Sequence, residues 1–134
     1  MSTIILEKFS LSTPHEGFVD ITSRVQKIIN ECGAKEAVVL VFCPHTTGAI
    51  TINENADPDV KHDLLIGLDK AFPQRAEFQH GEGNSPAHLK SSAVGASEYI
   101  IVHNGQLVLG TWQSIYFCEF DGPRNRTCYV QVSS

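Results

Sequence analysis

Residues 97–120 read SEYIIVHNGQLVLGTWQSIYFCEF, and this stretch decides the fold. Two short runs rich in β-branched and aliphatic side chains, YIIVH and QLVLG, flank Asn104-Gly105. That dipeptide is the strongest two-residue hairpin signal, because both residues tolerate the positive φ a type I′ turn requires. Residues 111–120 form a further strand with apolar side chains on both faces: Trp112, Tyr116 and Phe120 on one, Ile115 and Phe117 on the other. One face meets a core, and the other needs a cover from helices or from another subunit. DGPRN (121–125) reads as a turn and RTCYVQV (126–132) as a closing strand.

Working upstream, residues 3–12 mix β-branched and aromatic side chains and open the chain as a strand. In 20–33, Ile21, Val25, Ile28, Ile29 and Cys32 fall at helical spacing; Asp20 or Thr22 caps the start and Gly33 the end. AVVLVFC (37–43) is a continuous apolar run, expected as a strand buried on both faces and interrupted by Pro44. GAITIN (48–53) follows as a second strand. Asp57-Pro58 opens a helix whose stripe Val60, Leu64, Leu65, Leu68 and Phe72 runs to Pro73. A polar, glycine-bearing loop over 73–85 leads to a short helix from Ser85-Pro86 to Gly95. The order predicts an α+β fold with two longer helices, one short helix and a large, mostly antiparallel sheet or sandwich.

The chain of 134 residues fits one domain over 1–134. A hydrophobic fraction of 42% and a charged fraction of 19% suit a folded soluble chain. A net charge of -5 provides no global footprint for nucleic acid or an anionic membrane, so neither is expected as a partner. The N-terminal stretch has no basic leader or long apolar run, and Cys32, Cys43, Cys118 and Cys128 form no CxxC pair. Reduced thiols in the cytoplasm are the expectation.

Three sets of residues bear on chemistry. If PHTTGAITINEN stays extended, His45, Thr47, Thr51 and Asn53 share one face, with Glu54 at the strand end. That row is either a solvent-facing edge or one wall of a site. His80 and His88 bracket the glycine-bearing loop; their spacing is not that of a tight ligand pair. With His45 they either remain separate surface histidines or converge on a divalent ion with an open position. Three imidazoles favour zinc, with manganese or nickel next; magnesium prefers oxygen ligands. For an anionic substrate, the helix start at Ser85, Lys90 one turn further, and Arg124 with Arg126 are the candidates. Glu54 and Glu82 are the carboxylates available to move a proton, with Asn53 beside the first.

The string from Ser97 to Ile115, with its two spaced glycines and GTWQ box, resembles the signature of the YjbQ-like secondary thiamine-phosphate synthase family. HTTGAITINEN, DPDV, HGEG…HLKSS and DGPRNR match in the same order, over about residues 40–127. The resemblance implies a mostly antiparallel, jelly-roll-like β-sandwich with helices, a homotrimer, a cleft around His45, His80 and His88, and a weak thiamine-phosphate synthase activity. It also points to Trp112 and Gln113 of the GTWQ box as substrate contacts. The chain departs from that pattern with Gly48, where alanine is typical, and with a shorter histidine loop than many members. The leading expectation is a metal-dependent enzyme acting on a phosphorylated or anionic metabolite. A non-catalytic trimer that binds metal or metabolite is the alternative.

Overall fold

The computed structural model describes residues 3–134. Eight strands, β1 (Ile4–Ser12), β2 (Gly17–Asp20), β3 (Ala37–Phe42), β4 (Gly48–Glu54), β5 (Ser97–His103), β6 (Gln106–Leu107), β7 (Gln113–Glu119) and β8 (Asn125–Ser133), alternate with three helices, α1 (Thr22–Cys32), α2 (Pro58–Ala71) and α3 (Ser85–Val94). The strands form a five-stranded sheet, ordered β1-β8-β3-β5-β6, and a three-stranded sheet, β2-β7-β4. Every strand pair is antiparallel. The expected α+β sandwich is the architecture observed.

Period-2 alternation builds the core between the sheets. Val39 and Val41, Ile100 and Val102, and Cys128, Val130 and Val132 point inward from the large sheet; Ile50, Ile115 and Phe117 meet them from the small one. Val25 and Ile29 of α1 close one side. Gly33 ends α1 in the left-handed conformation at φ 72°, and Asp20 Oδ1 accepts the Thr22 N–H at 3.0 Å. Asn104 and Gly105 take φ 52° and 75°, the turn read from the sequence.

Four expectations are corrected. First, β2 was not foreseen: GFVD is too short to show a period, and its pairing with β7 supplies what its own sequence lacks. Second, β3 is buried on one face only, and its outer residues Val38 and Phe42 are 43% and 41% exposed. Third, α2 buries no residue fully. Its stripe contributes Leu68 to a small second core of Ala49, Ala87, Cys118 and Phe120. That cluster covers the outer face of β7, so α2 and α3 shield the two-faced strand. Trp112 lies outside the strand and is 61% exposed. Fourth, the polar row is split: Thr51 and Asn53 lie on β4, whereas His45 and Thr47 precede it in the bend that follows Pro44.

The open apolar surface is instead the outer face of the large sheet. Ile4 and Leu6 on β1 and Tyr99 and Ile101 on β5 are each at least 60% exposed. Leu6, Leu40, Phe42, Tyr129 and Gln131 line a groove of about 290 Å³ there.

Candidate functional site

Pro44 ends β3, and what replaces the lost ladder creates the site. The β3–β8 pairing stops at Phe42 opposite Tyr129. Two residues further along β8, on the same side of the strand, Thr127 presents an N–H with no strand to receive it. His45 Nε2 accepts that hydrogen bond at 3.0 Å. A backbone amide can only donate, so Nε2 holds a lone pair and the neutral ring carries its proton on Nδ1. Burial first, and the Arg126 charge second, hold the His45 pKa below its usual value, which favours this neutral form at pH 7.

Behind His45 lies a buried ion pair. Arg126 falls at an inward position of β8, in phase with Cys128, Val130 and Val132, and is 5% exposed. Its partner Glu119, at the end of β7, is fully buried. Glycines oppose Glu119 on both neighbouring strands, Gly17 and Gly48. Arg126 Nε donates to Glu119 Oε1 at 2.7 Å, and Nη2 donates to Oε2 and to Thr47 Oγ1, the latter at 2.8 Å. Thr13 Oγ1 donates to Oε1 at 2.5 Å and the Asp121 N–H to Oε2 at 2.9 Å. Burial by itself would raise the Glu119 carboxyl, but these hydrogen bonds outweigh it and hold the pKa below normal. The Glu119 hydrogen bond in turn raises Arg126, against its own desolvation.

In front of this pair opens a polar cleft of about 390 Å³. His45, His80, His88, Glu82 and Arg124 line it, with Arg126 at its floor. The His80 and His88 rings stand edge to face, centroids 5.2 Å apart. Arg124 is anchored by Nε on the Asp121 carbonyl at 2.7 Å and Nη2 on Asp121 Oδ2 at 3.1 Å. Asn84 Nδ2 donates to the same Oδ2 at 2.8 Å, whereas Asn84 Oδ1 is buried without a partner. Burial pushes the Asp121 carboxyl up, but the Asn84 and Arg124 hydrogen bonds prevail and its pKa is lowered.

The donor chemistry fits a divalent ion in part. Neither the His80 nor the His88 ring makes a hydrogen bond to the described protein, so their ring nitrogens are available. His45 does not fit: its lone pair is engaged by Thr127 and its open nitrogen bears the proton. Consistently, no three His, Cys, Asp or Glu groups among the described residues are placed to hold an ion together.

The remaining candidates lie elsewhere. Lys90 is 3% exposed and its ammonium pairs with Asp69 of α2 and with Glu16, tying α3 to its neighbours and not lining the cleft. Asn53 and Glu54 pair with Ser114 and Gln113 at the opposite end of β7 from Glu119, roughly 20 Å away at the rise of a strand. Trp112 and Gln113 are at that far end too, where Gln113 Oε1 accepts the Gly110 N–H. Sequence reasoning missed Glu119 and Thr13. A lone acidic residue in SIYFCEF, and an arginine in phase with inward-facing residues, were the available signals.

The sequence model described as UPF0047 protein YjbQ-like matches residues 7–134. The UPF0047 protein YugU of Bacillus subtilis is 55% identical over 122 residues, covering 90% of this chain and 92% of that one. A UPF0047 protein of Methanocaldococcus jannaschii is 49% identical, covering 96% and 94%. A crystal structure of a YjbQ/UPF0047 protein from Clostridium acetobutylicum superposes with TM-score 0.91 at 54% identity, covering 94% of this chain and 98% of that one. A YbjQ-like protein of unknown function from Sulfolobus solfataricus does so with TM-score 0.94 at 30% identity, covering 100% and 99%.

Proposed function

The chain belongs to the UPF0047 protein YjbQ-like family, and from that premise we propose that its histidine cleft is the working site of a small-molecule enzyme taking a phosphorylated or otherwise anionic metabolite. The observation that carries this reading is the gathering of three imidazoles and two guanidinium groups around one polar cavity. His80 and His88 are the residues that would hold a divalent ion, zinc first, then manganese or nickel, with magnesium disfavoured by nitrogen ligands. Such an ion supplies charge neutralisation at a substrate oxygen. Arg124, fixed from behind by Asp121, orients the anionic group. Glu82 is exposed at the cleft and makes no hydrogen bond that would prevent it from accepting a proton.

The reaction class is hydrolysis or group transfer with loss of phosphate or pyrophosphate, and the weak thiamine-phosphate synthase reaction is its specific case. Phosphorylated metabolites should be screened with zinc present while phosphate and pyrophosphate release are both followed. Turnover by the wild type that is lost in Glu82→Gln and His88→Ala supports the reading. Turnover unchanged in both variants places the chemistry elsewhere.

A second reading, a non-catalytic trimer that retains metal or metabolite, is favoured by one observation. Glu119 behind the cleft is saturated with donors and Asp121 is tied through Oδ2 to Asn84 and Arg124, so among the described residues lining the cleft Glu82 is the one carboxylate without a hydrogen bond. The uncovered outer face of the large sheet supports the homotrimer under either reading. Ligand retained through gel filtration, without turnover, would select the binding protein.

A further inference from the structure

The floor of the cleft holds more hydrogen-bond donors than the protein uses. Arg126 is 95% buried, yet only Nε and Nη2 are engaged; Nη1 has no protein partner and is not among the sealed polar atoms. His45 Nε2 is taken by Thr127, so its free nitrogen is Nδ1, which carries a proton and is likewise not sealed. The main-chain N–H groups of Thr46 and Thr47, in the bend between β3 and β4, make no hydrogen bond to the described protein. All four residues line the same cavity. A set of unpartnered donors on residues lining one cavity, with a buried guanidinium among them, is the complement of an oxyanion.

We infer that Arg126 Nη1, His45 Nδ1–H and the Thr46 and Thr47 amides form a phosphoryl-binding subsite, in which His45 is a neutral donor of fixed tautomer and not a metal ligand. The inference rests on the reading of the cleft as the seat of an anionic metabolite, and specifies which atoms receive the anion. Several separate donors match the three peripheral oxygens of a phosphoryl group better than the two of a carboxylate. Glu119 does not oppose the ligand, because its oxygens are saturated and it is fully buried behind the guanidinium. Its role is to turn the fork so that one nitrogen faces outward. Thr127 plays the same part for His45.

The test uses inorganic phosphate and the full ¹⁵N-labelled chain. In the wild type at pH 7, nitrogen-detected correlations should place the His45 proton on Nδ1. Added phosphate should saturably shift that nitrogen together with the Thr46 and Thr47 amides. Arg126→Lys, which keeps the charge but loses the fork, should weaken phosphate binding at least about tenfold, on the order of one charge-assisted hydrogen bond. Lys27→Gln, on the exposed face of α1, should leave it unchanged. If Arg126→Lys does not fold, the wild-type shift map decides. A His45 proton on Nε2, saturable shifts confined to Arg124, His80 and His88, or no saturable shift would overturn the assignment. Phosphate seated on Arg126 in a protein that turns over no substrate upholds the subsite and removes the catalytic reading. Turnover with phosphate seated elsewhere does the reverse.

Discussion

Replacing Glu119 by glutamine changes one atom's chemistry at the most buried polar point of the protein. The carboxylate accepts four hydrogen bonds, from Thr13, the Asp121 N–H and two nitrogens of Arg126. An amide keeps one oxygen but turns an NH2 against donors on the other side, and leaves the Arg126 guanidinium buried without its counter-ion. Breaking a buried pair from one side costs about 3–5 kcal/mol. For a chain of this size that lowers Tm by roughly 10 °C or more. Urea and thermal unfolding at one fixed protein concentration, from pH 7 down to pH 3, measure it. The Glu119 pKa is depressed in the fold, so the unfolded chain takes up the proton first as pH falls. The pair's stabilisation is therefore complete above the ordinary carboxyl value of 4.5 and lost as pH drops through the lower folded value. The gap between wild type and Glu119→Gln should be widest at pH 7 and shrink below pH 4.5. A variant within about 1 kcal/mol of wild type at pH 7, with a gap indifferent to pH, would refute the ion pair as the organising element of the cleft.

Other outcomes follow from the same geometry. Gly122→Ala places a methyl 2.0 Å from the Pro14 carbonyl oxygen, against main chain that cannot yield; the turn bearing Asp121 and Arg124 should be displaced, and soluble yield and Tm should fall. Leu6→Glu with Phe42→Glu puts charge on the open apolar sheet face; if the proposed homotrimer forms through that face, sedimentation should show a trimeric wild type and a monomeric variant, and a wild-type monomer or a variant that stays trimeric would contradict the proposal. Burial raises the thiols of Cys43, Cys118 and Cys128, the last up to about 12, so native protein should be labelled by a maleimide at half-buried Cys32 alone. Labelling of Cys128 at a comparable rate would show that the sandwich opens.

Long, strongly periodic elements were legible in the sequence. The stripe of α1, the Asn104-Gly105 hairpin turn and the alternation of β8 each carry their own signal and fold as read, whereas the strand expected over 106–110 shrinks to Gln106–Leu107. The misreadings of β3 and α2 share an origin in which neighbour covers a face, since that is a tertiary fact. An apolar run such as AVVLVF looks the same whether helices, a second sheet or another subunit lie over it. The site was legible as a set of histidines but not in their roles. His45, His80 and His88 share a cavity, yet only the register of β8 against the broken β3 reveals which His45 nitrogen is engaged. Asn53 and Glu54 follow from the extended row after His45, and Trp112 and Gln113 from the GTWQ resemblance; the antiparallel pairing of β4 with β7 carries all four to the far end of the sheet. Lys90 was read as a free cation because Glu16 and Asp69 lie 74 and 21 residues away along the chain.

A crystal structure of the protein grown with zinc and inorganic phosphate together would show how the cleft is used. The geometry predicts an ion bound by His80 and His88, with phosphate oxygens against Arg126 Nη1 and His45 Nδ1, and the His45–Thr127 hydrogen bond intact. An ion bound through His45 Nε2 with that hydrogen bond broken, or a cleft holding neither species at saturating concentrations, would contradict it.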